Sequence, residues 1–419
     1  MQKTKFKQTE IGMIPEDWEE KELQKISRVI DSCHKTPKYS PEGIAMVRVT
    51  DIKYGDIDLK NTLKVTTDVY DEFTLNHKPQ KNDIVMSRVG TYGVTSFVST
   101  NDLFCLGQNT VVIHPSINSR FIYYALNSKL VKTQIEEEVT GSTQKTISLK
   151  DIRELLIACP TNTEELKLIA KILSSLDSKI ELNQQMNKTL EAIGQALFKH
   201  WFIDFEFPNE KGKPYKSSGG EMVDSEMGEI PKGWKVGKLG DYIDFIKGKK
   251  PFETSEEFIE GYLPQILIEN LDGGQPVYTN TEKMVVVEET EPIMVMDGAS
   301  SGRIEIGHRG VLGSTLSKVI VKNDLLTNSY VLHFLKIHQE DINQNTTGTS
   351  IPHTDKERIK RYTLALPDKR LLELFDKLAV RILYKIISTK REIKNLSEIR
   401  DSLLPKLMSG KIRVPVEVK

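Results

Sequence analysis

The chain has 419 residues, 38% of them hydrophobic and 28% charged, with a formal net charge of −1 and a mean hydropathy of −0.36. That length calls for two or three cores rather than one, and the balance excludes collagen-like, disordered and membrane-embedded chains. No apolar run nears the roughly 20 residues that cross a bilayer, and Cys33, Cys105 and Cys159 form no C-x-x-C pair, so a reducing cytoplasm is the expected location.

In chain order, the first signal is one that returns. Gly12-Met13-Ile14-Pro15-Glu16-Asp17-Trp18, with Leu23 beyond it, is echoed by Gly228-Glu229-Ile230-Pro231-Lys232-Gly233-Trp234 and Leu239. Thr140-Gly141-Ser142-Thr143 and Thr347-Gly348-Thr349-Ser350 each precede a proline, Pro160 and Pro367, at equal distance. Short β-branched segments fill each globule: Met46–Val49, Asp83–Met86 and Thr110–Ile113, then Lys283–Val287 and Lys318–Val321. Helical patterns follow at Arg120–Lys132 and Leu326–His338. The order globule, helix, globule, helix predicts a tandem duplication.

Two long helices are expected next. Leu166, Ile169, Leu173, Leu176, Ile180, Asn183, Asn187, Leu190, Gly194, Leu197 and Trp201 step by three and four without interruption, as do Leu372, Phe375, Ala379, Ile382, Ile386, Thr389, Ile393, Leu396, Arg400, Leu403 and Leu407. A repeat of about 3.5 keeps one stripe facing a partner helix, so the two seams predict a coiled coil, and an antiparallel one because parallel pairing would crowd both globules at one end. Thr163 is the expected N-cap of the first helix. The second is expected to weaken at Pro405 and stop at Gly410. Asn183, Asn187 and Thr389 interrupt the seams, which two readings fit: tolerated drift, or polar residues that fix register. Phe198–Phe207 reads either as core at the helix end or as a docking patch, and the Pro-, Gly- and Ser-rich stretch 208–220 as a linker or exposed loop. The expected class is α+β. The globules span 1–160 and 227–367, the first long helix and its end 161–207, a linker 208–226, and the second long helix with its tail 368–419.

No phosphate loop, H-E-x-x-H, G-x-S-x-G or Asn-Pro-Pro-Tyr motif is present, and the eight histidines lack metal-ligand spacing. No catalytic constellation, metal site or bound cofactor is therefore expected. Gly248-Lys249-Lys250 lacks the rest of a phosphate loop and reads as a basic turn.

The paired Gly-x-Ile-Pro-x-x-Trp openings and the closing segments Gln195–Phe205 and Arg400–Val414 resemble the specificity subunit of type I restriction–modification systems over essentially the whole chain. The helix starts at Thr163-Glu164-Glu165-Leu166 and Pro367-Asp368-Lys369-Arg370 depart from that family's usual Glu-Gln pattern. The resemblance implies a non-catalytic reader of double-stranded DNA, each globule binding one half of a split, asymmetric site and the helices setting the spacing. It also implies two methylation subunits and, in a cutting complex, restriction subunits. S-adenosylmethionine, ATP and Mg would belong to those partners. A rival reading is a coiled-coil scaffold presenting two β-rich domains to proteins, which the near-neutral charge favours.

DNA binding asks for positive charge, and here it is local: Lys35 and Lys38, then Lys247, Lys249 and Lys250. Gly-flanked loops in similar places, Ser87–Gly93 and Asp297–Arg303, offer Arg88, Thr91 and Tyr92, then Ser300, Ser301 and Arg303. An arginine there reaches guanine O6 and N7, or the loops are tight turns between strands. Gln144, Lys145 and His353 follow the T-G-S/T segments as further candidates.

Overall fold

Each copy of the opening motif folds into a β-hairpin followed by a buried tryptophan. Phe6–Thr9 pairs antiparallel with Gly12–Pro15, and Met222–Ser225 with Gly228–Pro231. Gly12 and Gly228 sit at φ +101° and +90°, a conformation costly for any residue with a Cβ, which accounts for the repeated glycine. Ile14, Trp18 and Leu23 are buried in the first copy, and Ile230, Trp234 and Leu239 in the second. The repeated letters are core positions. This computed structural model describes residues 4–140, 145–271, 274–348 and 351–415.

The chain divides into two compact units, residues 1–182 with 393–419, and residues 183–392. In the first, the central sheet contains β1 (Ser27–Asp31), β2 (Ile84–Ser87), β3 (Thr95–Phe97) and β4 (Thr110–Pro115), ordered β1-β4-β2-β3 and antiparallel throughout. A smaller sheet joins Ile44–Val47 in parallel to Phe104–Leu106, and Trp18–Glu22 pairs with Leu156–Pro160. The long helix α1 (Thr163–Phe202) follows.

The second unit repeats the plan. Its central sheet is β5 (Ile243–Lys247), β6 (Ile293–Val295), β7 (Ile304–Glu305) and β8 (Leu316–Val321), ordered β5-β8-β6-β7. Again one parallel pair, Leu263–Ile266 with Gly310–Leu312, lies in a side sheet, and Lys235–Lys238 pairs with Thr363–Leu366 ahead of α2 (Lys369–Met408). Among the described residues no helix is long and apolar enough to cross a membrane.

Both long helices contribute to both units, and within each unit their segments run antiparallel. In the first unit Asp177 meets Arg400 at 2.9 Å while Glu165, earlier on α1, meets Arg413, beyond the end of α2, at 2.6 Å. Leu166, Ile169 and Leu173 share a core there with Leu403, Leu404, Leu407 and Met408. In the second unit Phe198, Trp201 and Phe202 pack on Phe375, with ring centroids 5.0–6.0 Å apart. The aromatic stretch at the end of α1 is thus core. On the seams Leu173, Ile180, Asn183, Asn187, Ile386 and Thr389 are buried, and Leu176, Ile382 and Ile393 half-buried. Among the described residues neither amide atom of Asn183 has a hydrogen-bond partner, whereas Thr389 donates to the Lys385 carbonyl at 2.8 Å.

Two local expectations change. Asn162, not Thr163, caps α1, its Oδ1 accepting from the Glu164 N–H at 2.8 Å, because the helix begins at Thr163 itself, one residue earlier than the threonine cap requires. Proline 405 stays inside α2: it lies in the last turn, where one missing N–H removes a single bond. Of the two readings of residues 208–220 the structure has the exposed loop, hydrogen-bonded, with Tyr215 stacked at 4.5 Å on Phe207, itself stacked at 5.3 Å on Trp234.

Candidate nucleic-acid interface

The strand registers superimpose one unit on the other. Asp31 and Met86 both oppose Val111 across β4, as Lys247 and Met294 oppose Ser317 across β8. Beyond β2, the Arg88 N–H donates to the Asn109 carbonyl and its carbonyl accepts from Ile147. Beyond β6, Met296 bonds Thr315 and Thr354 in the same way. Arg88 and Met296 are therefore equivalent, as are Asp31 and Lys247. The bridges Val89↔Thr146 and Asp297↔His353 extend the match. In each unit three segments converge on one corner: the end of the edge strand, the Gly-flanked hairpin loop and the stretch after the T-G-S/T segment.

One backbone corner carries different charges in the two units. In the first, the Arg88 Nη1 donates to Asp31 at 2.8 Å and its Nε to the Ile147 carbonyl at 3.3 Å; His34 holds the other Asp31 oxygen at 2.9 Å. The exposed Lys145 lies 5.8 Å over the ring of Tyr92, whose hydroxyl donates to Glu136 at 2.9 Å, beside the exposed Thr91. In the second, Asp297 accepts from Lys247 at 3.1 Å and from His353 at 2.7 Å. Burial pushes the Asp297 carboxyl up, but His353 and Lys247 outweigh it and hold it below the usual carboxylate range. Lys356 sits 5.8 Å over the Phe245 ring, and burial followed by the like charge of Lys247 lowers its pKa. Lys360 completes the row, 3.0 Å from Asp244.

The structure thus brings Lys247 and His353 onto one carboxylate and places Lys145 over Tyr92, while several other candidates are engaged inside their own units. Arg88 does not present its fork to solvent: its side chain is 14% exposed and tied to Asp31. Ser301 is buried, with its hydroxyl within 2.7 Å of the Gly298 and Pro352 carbonyls, so it closes the turn instead of facing a ligand. Arg303 pairs with Glu305 at 2.9 Å, and the Ser300 carbonyl accepts its backbone N–H. Lys35 pairs with Glu72, and the Lys249 Nζ donates to the Lys283 carbonyl at 3.3 Å. Lys38 and Lys250 are exposed. Gly248 owes its place to packing, since a Cβ would meet the Gly313 and Leu312 carbonyl oxygens at 2.3 and 2.4 Å. Gln144, Gly141 to Thr143, Thr349 and Ser350 lie outside the described residues. Spacing alone missed Asp31, His34 and Asp297; what marks them is the ladder register, which sets them at the end of a strand or at the loop facing it.

Comparisons with known proteins agree with this duplicated plan. The family described as Type I restriction modification DNA specificity domain matches residues 15–192 and 231–400. The type I restriction enzyme MjaIX specificity subunit of Methanocaldococcus jannaschii is 26% identical over 98% of this chain and 97% of its own length. The HindI specificity subunit of Haemophilus influenzae is 24% identical over 80% of this chain and 87% of its own. The crystal structure of a type I restriction–modification S subunit from M. genitalium shares the fold, with a TM-score of 0.61 at 19% identity, covering 93% of this chain and 96% of that one. Two family matches, each running from the proline of one opening motif through one central sheet and most of one long helix, make the chain a member of the type I restriction–modification DNA specificity family, with two tandem DNA-recognition domains.

Proposed function

We propose that the first unit reads one half of a split, asymmetric site in double-stranded DNA and the second unit the other half, with α1 and α2 fixing the spacing and providing the surface on which two methylation subunits assemble. The chain works in the cytoplasm without chemistry of its own. S-adenosylmethionine, ATP and Mg are held by the methylation and restriction subunits that join it. One observation carries the reading: a single backbone corner built twice, lined by Asp31, Arg88 and Lys145 in one unit and by Lys247, Asp297, His353 and Lys356 in the other. Like frames with unlike linings suit unlike half-sites.

Most cations at these corners are already paired, so the chain alone has little positive charge to offer phosphates. Tight, selective binding therefore belongs to the assembly with methylation subunits. Modification-sensitive sequencing of host DNA with and without this gene tests the proposal. Methyl-adenine should vanish from one split motif, and an unchanged methylation pattern would overturn the reading.

A further inference from the structure

Away from the loop corner, the first unit buries a carboxylate between two imidazoles. Asp83 lies directly ahead of β2 with a fully buried side chain. Its Oδ2 accepts from His77 Nε2 at 2.6 Å and from the Gln80 backbone N–H at 2.9 Å, and its Oδ1 accepts from His114 Nδ1 at 2.7 Å. His114 belongs to β4, opposite Asp83 in the register that pairs Ile113 with Ile84, whereas His77 comes from the loop after the helix Thr67–Phe73. The three donor atoms lie within 4.8 Å of one another, and the rings are 5.5 Å apart. His77 also lines a cavity of about 200 Å³ with Ser32, Cys33 and Val112.

The second unit shows what this position demands. By register Glu291 is the counterpart of Asp83, and there Lys318 reaches the carboxylate at 2.6 Å. A carboxylate withdrawn from water needs a cation beside it. Lysine supplies a permanent one in the second unit; among the described residues the first has only imidazoles there, which are also zinc donors. Two histidine nitrogens and a carboxylate oxygen make the donor set that Zn²⁺ takes. The Gln80 N–H on Asp83 is the outer contact that orients a ligating carboxylate.

We propose that His77, Asp83 and His114 bind one Zn²⁺ ion, which pins the 74–82 loop to the central sheet of the first unit. Each imidazole then offers the nitrogen that faces Asp83, its ring proton moving to the other nitrogen.

The test uses the full chain, stripped with a chelator, dialysed, and titrated with Zn²⁺, with Mg²⁺ as control. The expected results are one Zn²⁺ per chain, a rise in Tm on the order of 5 °C at saturating Zn²⁺ but not Mg²⁺, and visible absorption bands when Co²⁺ replaces Zn²⁺. The double variant H77Q/H114Q keeps amide donors toward Asp83. It should remain folded by circular dichroism yet lose the bound metal and the bands. Failure of the wild-type chain to retain Zn²⁺, or equal Zn²⁺ and Co²⁺ binding by the double variant, would overturn the proposal. In the first case the cluster is a hydrogen-bonded triad only.

Discussion

Arg88 shows how a side chain chosen for its reach can belong to the scaffold. Its guanidinium holds Asp31 and the Ile147 carbonyl, so Arg88→Ala leaves a half-buried carboxylate with His34 alone. The expected result is a loss of about 2 kcal/mol from the first unit, read as a fall in Tm of roughly 5 °C. Lys145→Ala, which removes an exposed cation above Tyr92, should leave Tm unchanged and instead lower the salt slope of DNA binding by the assembled complex by about one. Glu305 gives a pH signature to the second unit. Burial pushes its carboxyl up, but His308 at 4.0 Å, the charges of Lys336 and Lys390, and Arg303 outweigh burial and bring it down to about 2 from 4.5. The ionised form thus favours the folded state: its contribution, on the order of 2 kcal/mol, is complete above pH 4.5 and is lost as pH falls toward 2. Thermal melts across that window should show the loss, and Glu305→Gln should flatten it. Spacing along the chain names residue types but not their partners. Ser301 looked available because the Pro352 carbonyl that engages it, 51 residues on, is brought there only by the tertiary fold. His77, Asp83 and His114 escaped notice because no local pattern joins a loop residue to two neighbouring strands.

Among the elements, the long helices were the most legible, because a 3.5-residue period repeated over 40 residues accumulates evidence that a strand of three or four residues cannot. The expected strand Lys283–Val287 shrinks to Val286–Val287, since Lys283 adopts φ +57° and Met284 closes a turn onto Thr281. The helix expected to reach Lys132 without a break is two helices, Ser119–Leu126 and Lys129–Glu138, with Ser128 capping the second. Such joints are decided by one or two residues. If the long helices set the half-site spacing, one extra heptad in α1 matched by one in α2 lengthens the pair by about 10 Å, or roughly three base pairs at about 3.4 Å each. Sequencing of methylated host DNA should then find both half-sites unchanged and the gap between them longer. An unchanged gap would remove the helices from that role.

At the level of the whole molecule, the repeat was plain in the sequence, but the way its halves are assembled was not. The first unit is built from residues 1–182 together with 393–419, whereas the second is one continuous stretch, 183–392. Leu403, Leu404, Leu407 and Met408 of α2 belong to the first unit's core, and Arg413 spans Asp17 and Glu165 with four hydrogen bonds of 2.6–2.9 Å. A fragment of residues 183–392 should therefore melt in one cooperative transition, while a fragment of residues 1–182 should give a broad one and bind a hydrophobic dye. A sharp transition for the shorter fragment would show that its core closes without α2. The same nesting reverses the usual order of events on the ribosome, where the earlier domain ordinarily folds first. Here the segment made first must wait, its apolar face open, until the unit encoded after it has emerged and the last strip of helix arrives to seal it. During synthesis, then, the earlier half is the one that a chaperone would be needed to shelter.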